Sequence, residues 1–461
     1  MANFDPSAYN PATAITVTTA GKVTPGTGNP YDGLVRAGDG IPSDQTARVP
    51  NVNTAAYSQI PLGAPRGFYK MHGAFGPRIG FAYAPDDKTS IRGGFGVFYY
   101  RAEGNVTFSQ VNIQPFLQNV EFDFANLGNI TAGTPNNTGL QGGISAIDPG
   151  LKNPYIDQFS LGVQRQLPMG MLLETTYVGN VGHHLLRQPN INFPNLAQVA
   201  AGAALTPVTV ANFYNPYKGF TSIGEWLGDS NSNYNALQLY LSKRTGRITY
   251  TVGYTFAKGL GDSQSNGNSN ENWRSLQYTY GELSIDRKQA FISTVVWQLP
   301  TFRDKNLLLR EAVGGLQITG VVRAQTGQYD TIQGNSSTGN RRSNYVAGTA
   351  FYLKDSRFAL ANHQAQWINP AAFTVPAAGS FGTAGVGNIV QPGLTQADVT
   401  LSKQFDIHER AQFRLQADAF NMLNHTNYSS LDTNVSDGAS FGRLNGAYPA
   451  RQLQLGAKVT F

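Results

Sequence analysis

Three stretches of this chain carry residue types that could do chemistry. Gly438-Ala-Ser440-Phe-Gly442 fits the G-x-S-x-G pattern, in which a serine on a strained strand-to-helix turn attacks an acyl carbon. That turn needs a strand before it and a helix after it, and the surroundings here are a polar loop with neither. His183 and His184 could offer imidazole nitrogens to a metal. Adjacent residues of an extended segment point apart, however, and neither a carboxylate nor a third histidine stands close in sequence. From Asp262, the run DSQSNGNSNENW places Asp262, Asn266 and Gly267 at calcium-loop spacing, but its twelfth position is Trp273 where a bidentate glutamate is needed. No stretch combines nucleophile, base and orienting group, so the chain reads as a non-enzyme without metal or cofactor.

Composition narrows the class. Charged residues make up 13% of the chain, while Gly reaches 51, Tyr 22 and Phe 26; that is roughly half the usual charge of a soluble protein. A mean hydropathy of -0.27 and the lack of any apolar run of about 18 residues exclude a helical membrane protein. A barrel of the outer membrane reconciles these facts, because its lumen and long loops are polar without being heavily charged. Cysteine is absent, which excludes a disulfide scaffold and thiolate metal sites. The net charge of +6 is spread without basic clusters and does not argue for nucleic acid. The opening MANFDPSAYNPATAITV shows no basic segment followed by an apolar one, so no signal peptide is read there. A barrel must nevertheless reach the outer membrane, so either the chain is a piece of a longer protein or the barrel reading is wrong.

Residues 1–71 are rich in Gly, Pro, Asn and Thr, with one short strand-like run from Ala14 to Thr19, and read as a long extracellular loop. Residues 72–461 change character. Ile79, Phe81 and Tyr83 alternate with Arg78, Gly80 and Ala82, and after a tight turn Ile91, Phe95, Val97 and Tyr99 alternate with Arg92, Gly94 and Gly96. The same unit of strand, short turn and strand recurs, giving about eleven strands. Its clearest stripe is Ile248, Tyr250, Val252, Tyr254 and Phe256, and a possible helical turn at Asn306–Ala312 interrupts one link. The last strand, RQLQLGAKVTF, alternates Leu453, Leu455, Ala457, Val459 and Phe461 with polar or small residues. Short connections alternate with long ones, which marks an antiparallel transmembrane β-barrel with periplasmic turns and extracellular loops. The first and last strands run toward the same rim and the count is odd, so the barrel is expected to be incomplete.

This alternation singles out candidate site residues. Arg78, Arg92, Glu174, Arg323, Arg414 and Asp418 occupy the wet face and would line a lumen. Phe213, Tyr214, Tyr217 and Trp226 cluster in a long segment and could bind ligand there.

Several segments resemble the barrel of Oar-like TonB-dependent receptors, a family abundant in Acidobacteria. They are NPYIDQFSLGVQRQL with LLETTYVGNVGHHL, NYNALQLYLSKR with YTVGYTFAKGLGD, DRKQAFISTVVWQLP, GLQITGVVRAQTGQ, WINPAAFTVPAAGSFG and FRLQADAFNMLNHTNY ahead of Phe461, in consistent order from about residue 72. The resemblance implies a barrel of about 22 strands or more closed by a plug. It also implies passage of a bulky ligand energised by the TonB complex, with outer-membrane lipid and the barrel assembly machinery as partners. Phe461, Val459 and Leu455 resemble the terminal signal that this machinery reads. The chain departs from the family in lacking the signal peptide, regulatory-like domain, plug, TonB box and first barrel strands. Two other readings stay open, a passive porin-like channel and a secreted all-β adhesin or carbohydrate-binding protein with its apolar stripes buried.

Overall fold

The computed structural model describes all residues except 1, 41, 49–58, 71–72, 113–121, 124–127, 130–133, 136–139, 141, 206–209, 264–271, 303–306, 335–341, 354–364, 378 and 409–410. Eleven strands form one continuous antiparallel sheet: β1 Arg78–Asp86, β2 Thr89–Tyr99, β3 Tyr155–Leu167, β4 Met171–Arg187, β5 Ile223–Lys243, β6 Ile248–Gly261, β7 Gln289–Gln298, β8 Leu316–Gln325, β9 Leu394–His408, β10 Ala411–Phe420 and β11 Gln452–Thr460. Each pairs with its sequence neighbour in this series, so the order in space is the order in the chain. The sheet does not close: β1 and β11 are its two edges.

Local chemistry explains the tight connections. Asp86 ends β1 by accepting hydrogen bonds from the Lys88 amide at 2.8 Å and the Thr89 hydroxyl at 3.1 Å, a side-chain mimic of a backbone turn. Between β3 and β4 the turn Pro168–Gly170 places Met169 and Gly170 at positive φ, 63° and 70°. The link from β7 to β8 is longer and carries the helix Leu307–Ala312, where the sequence suggests a helical turn; Asn306 lies outside the described residues.

Directly opposed residues of paired strands share a face. Following register from strand to strand, Arg92 meets Gly162, Gly162 meets Thr176, Thr176 meets Gln238 and Gln238 meets Thr255. From the other edge, Gln454 meets Asp418, Asp418 meets Thr400 and Thr400 meets Thr319. The opposite face carries Phe95 against Phe159, Tyr254 against Phe291, and Ile318 against Leu401. Among the described residues nothing covers this apolar face: Leu455 is 86% exposed and Ile79 74% on the edge strands, and Leu161 is 52% exposed inside the sheet. A sandwich would have buried them.

The close-packed cores lie elsewhere, among the long connections. The described part of residues 1–71 holds more regular structure than its composition suggests. Ala2–Phe4 and Leu34–Ala37 pair antiparallel, Leu62–Ala64 adds in parallel, and Ala14 and Val17 make only single bridges. Phe4, Leu34 and Ile60 join Ile144, Ile191, Phe220 and Ile223 in one cluster. Val35, Phe68 and Tyr69 join Val106, Ile147, Leu151 and Leu186 in a second. A third gathers Ile332, Ile368, Phe373, Ile389 and Phe441 from the connections after β8 and β10. These apolar residues lack a regular period, so only folding reveals that they meet.

Candidate functional site

The polar face of the sheet is the surface that could meet a solute. Arg78, Arg92, Glu174, Arg323, Arg414 and Asp418 all fall on it by register. They are not one cluster: Arg78 and Arg92 stand on β1 and β2, Glu174 on β4, Arg323 on β8, and Arg414 and Asp418 on β10. Arg78, Arg92, Arg414 and Asp418 are held locally. The Arg78 guanidinium lies 4.6 Å from the centre of the Phe98 ring, a cation–π contact. Arg92 donates from Nε to Ser90 Oγ at 3.2 Å, and Arg414 from Nη2 to Ser402 Oγ at 3.2 Å. Asp418 accepts from Thr400 Oγ1 at 2.6 Å and from Gln416 Nε2 at 2.8 Å. Of the six, Arg78 borders a groove of about 490 Å³ between β1 and β5, whose polar lining also includes Gln158, Ser160, Asn180 and Gln238. Charges and amides fixed by neighbours in this way offer donors and acceptors without costly rearrangement.

The four aromatic loop candidates separate into two pairs. Phe213 and Tyr214 pack edge to face at 5.1 Å and stay half-buried, with the Lys218 ammonium 5.4 Å from the Phe213 ring centre. Tyr217 instead sits 4.9 Å from Phe4 and 5.1 Å from Tyr9, and Trp226 packs on the second core. Tyr217 and Trp226 therefore help to bind residues 1–71 to the rim.

That rim is locked by polar contacts that sequence reading missed. Asn3 imitates a strand partner, donating to the Ile147 carbonyl at 2.7 Å and accepting from its amide at 2.8 Å. Arg187, buried at the end of β4, makes a two-pronged pair with Asp229 at 2.6 and 2.7 Å and donates to the Trp273 carbonyl at 3.0 Å. The forked geometry of arginine suits this arrangement.

Glu225 stands in the part of β5 that rises beyond its pairing with β6, among these loops. Burial, reinforced by the carboxylates of Asp148, Asp5 and Asp229, pushes its carboxyl up to about 8 from an ordinary 4.5. Below pH 4.5 the folded and opened rim are both protonated. As pH rises toward 8 the opened rim loses a proton that the folded one keeps, so stability falls through that window and then levels. Glu225→Gln is expected to flatten this dependence and to stabilise the rim near pH 8 by an amount on the order of a few kcal/mol. Protease resistance of the long connections between pH 5 and 9 reads it; an unchanged slope would overturn the assignment.

The three motifs with possible chemistry resolve structurally. Ser440 is exposed at the end of the short helical turn Val435–Ser440, while Phe441 anchors the third core. Gly442 has φ 77°, and a Cβ there would come within 2.9 Å of Ile368 Cβ, so its glycine serves packing. The histidines do not point apart: His184 adopts φ 55°, and both rings lie against Tyr155, at 4.8 and 5.8 Å. Asn266 and Gly267 of the calcium-loop match lie outside the described residues. Among the described residues, no three histidine, aspartate or glutamate side chains gather where they could hold a metal ion.

A family model described as outer membrane beta barrel domain matches residues 1–454. No curated protein matches the chain. Similar solved structures include the outer membrane transporter YddB from Escherichia coli, at 10% identity and a TM-score of 0.45, covering 81% of this chain and 39% of that one. Another is the ferripyoverdine receptor of the outer membrane of Pseudomonas aeruginosa, at 10% identity and 0.41, covering 85% and 33%. A third is the FrpB iron transporter from Neisseria meningitidis, at 11% and 0.42, covering 84% and 39%. The chain spans well under half the length of these proteins.

Proposed function

From the premise that this chain belongs to the outer membrane beta-barrel domain family, and so to the cell outer membrane, we propose that it is the C-terminal part of a TonB-dependent, Oar-like receptor. In this reading residues 72–461 form part of the barrel wall and residues 1–71 belong to its extracellular side. The long connections capture a bulky ligand, and the polar face passes it through a lumen gated by a plug that the longer protein supplies. One observation carries the proposal: eleven strands with one polar and one uncovered apolar face, short turns on one rim and folded connections on the other. An apolar face in water would be a liability, whereas in lipid it is satisfied. The open edges at β1 and β11 fit the same reading, since unpaired backbone groups are costly in hydrocarbon. Further strands would complete the wall.

A passive porin shares this geometry. Planar-bilayer recording of the full-length protein separates the two: a plugged receptor is expected to show no steady conductance, and a constantly open channel would overturn the receptor reading. The adhesin reading asks for buried stripes, which the exposed Leu453, Leu455 and Ile79 do not provide.

Phe461, which is 98% exposed just beyond β11, together with Val459 and Leu455 forms the proposed assembly signal. Deleting Phe461 from the full-length protein is expected to lower its folded amount in the outer membrane several-fold, read by heat-modifiable migration in gels. Equal amounts would remove the signal role.

A further inference from the structure

The apolar face does not end evenly at the rim of long connections. Between β2, β3 and β4, three rings form a shelf: Tyr99 opposes Tyr155, and Tyr155 opposes His183. Their centres are 5.1 and 4.8 Å apart, with Tyr155 and His183 stacked. The register continues the apolar row of Phe95 and Phe159, so the shelf belongs to the outward face. Its height can be judged from β3. Tyr155 begins that strand and Leu167 ends it at the short-turn rim, a separation of roughly 40 Å along the strand, or roughly 30 Å of height at a tilt of about 40°. That is about one membrane thickness, which places the shelf at the interface with the outer leaflet.

Immediately beside the shelf lies a groove of about 420 Å³, whose lining includes Lys70, Lys152, Tyr99, Tyr155 and His184. The register of β4 against β5 shifts between Gly182 and Leu185, and the left-handed backbone of His184 turns its ring to the side of His183. Its Nδ1 lies 3.2 Å from the Gly228 carbonyl, which anchors the ring. The nearest carboxylate of this row, Asp157, is engaged at 3.4 Å by His183 Nε2. Lys70 and Lys152 are exposed and have no anionic partner among the described residues. A surface with aromatic rings at acyl-chain height and two exposed ammonium groups beside them is complementary to a lipid whose polar end carries phosphate.

We propose that this groove binds a phosphorylated glycolipid of the outer leaflet, Lys70 and Lys152 holding its phosphate and the Tyr99–Tyr155–His183 shelf meeting the sugar and upper acyl carbons. The proposal rests on the outward assignment of this face, and the experiment separates the two. The full-length protein is placed in nanodiscs of zwitterionic phospholipid containing a small fraction of diphosphoryl lipid A, and retained lipid is measured by native mass spectrometry. Each lysine near an anionic leaflet strengthens binding about fivefold, so the K70A/K152A variant is expected to retain lipid A roughly thirtyfold less tightly. Dephosphorylated lipid A should be retained no better by the natural protein than by this variant. Because the chain has no cysteine, a fluorophore at Phe159→Cys reports the face independently: nitroxide-labelled acyl chains should quench it in both proteins. Quenching with unchanged lipid A retention would overturn the site while leaving the barrel intact. Absence of quenching would overturn the outward face and the site with it. Displacement of bound lipid A by millimolar inorganic phosphate would show a simple phosphate site and would equally overturn the lipid proposal.

Discussion

Val252→Arg is expected to abolish stable membrane assembly, whereas Thr251→Arg one residue away is expected to be tolerated. Both residues sit in β6, which has β5 on one side and β7 on the other, so neither is near an open edge. Val252 opposes Leu241 and Ser293 on the apolar face, while Thr251 opposes Ser242 and Thr294 on the polar face. Four residues from the short-turn end of the strand, Val252 lies about 10 Å into an apolar band about 25 Å tall, close to its middle. An arginine facing lipid at that depth costs about 2–4 kcal/mol. That is a large fraction of the stability of a marginal protein. Thr251 gives up only its hydroxyl contact with Thr294, at 2.6 Å, worth about 1 kcal/mol, and a lumen supplies water for the guanidinium. Chemical-denaturant unfolding of both variants in lipid vesicles decides the matter. Equal losses would mean that neither face meets lipid, and the barrel function would fall with it.

The second large effect concerns the rim. Phe4→Ala should release residues 1–71 from the connections beneath them. Phe4 is fully buried, with its ring edge-on to Tyr217 at 4.9 Å and to Phe220 at 5.3 Å. Removing a buried phenyl ring costs about 3–5 kcal/mol, which raises the opened fraction of this local unit by a factor of 100 or more. Protease added to intact cells should cut the variant within residues 1–71 while the sheet stays whole. Cleavage no faster than in the natural protein would mean that Tyr9, Tyr217 and Asn3 hold the segment without it.

Period-two alternation has a physical basis that a single sequence displays in full. Successive strand side chains must face opposite ways, so Ile248 to Phe256 and Leu453 to Phe461 declare their faces before any partner is known. The strand series and the common face of Arg78, Arg92, Glu174, Arg323, Arg414 and Asp418 were legible for that reason. The groove between β1 and β5 was not, because its width depends on which strands become neighbours and on glycines such as Gly94 and Gly96 that leave space on the polar face.

The sequence by itself determined the eleven strands, their two faces and the alternation of short and long connections, all consequences of local geometry repeated along the chain. Tertiary structure alone decided the rest. Phe4 met Tyr217 and Phe441 met Phe373 across long stretches of chain, and packing of that kind leaves no periodic trace. One left-handed residue, His184, turned two histidines onto the same tyrosine against the expectation for an extended segment.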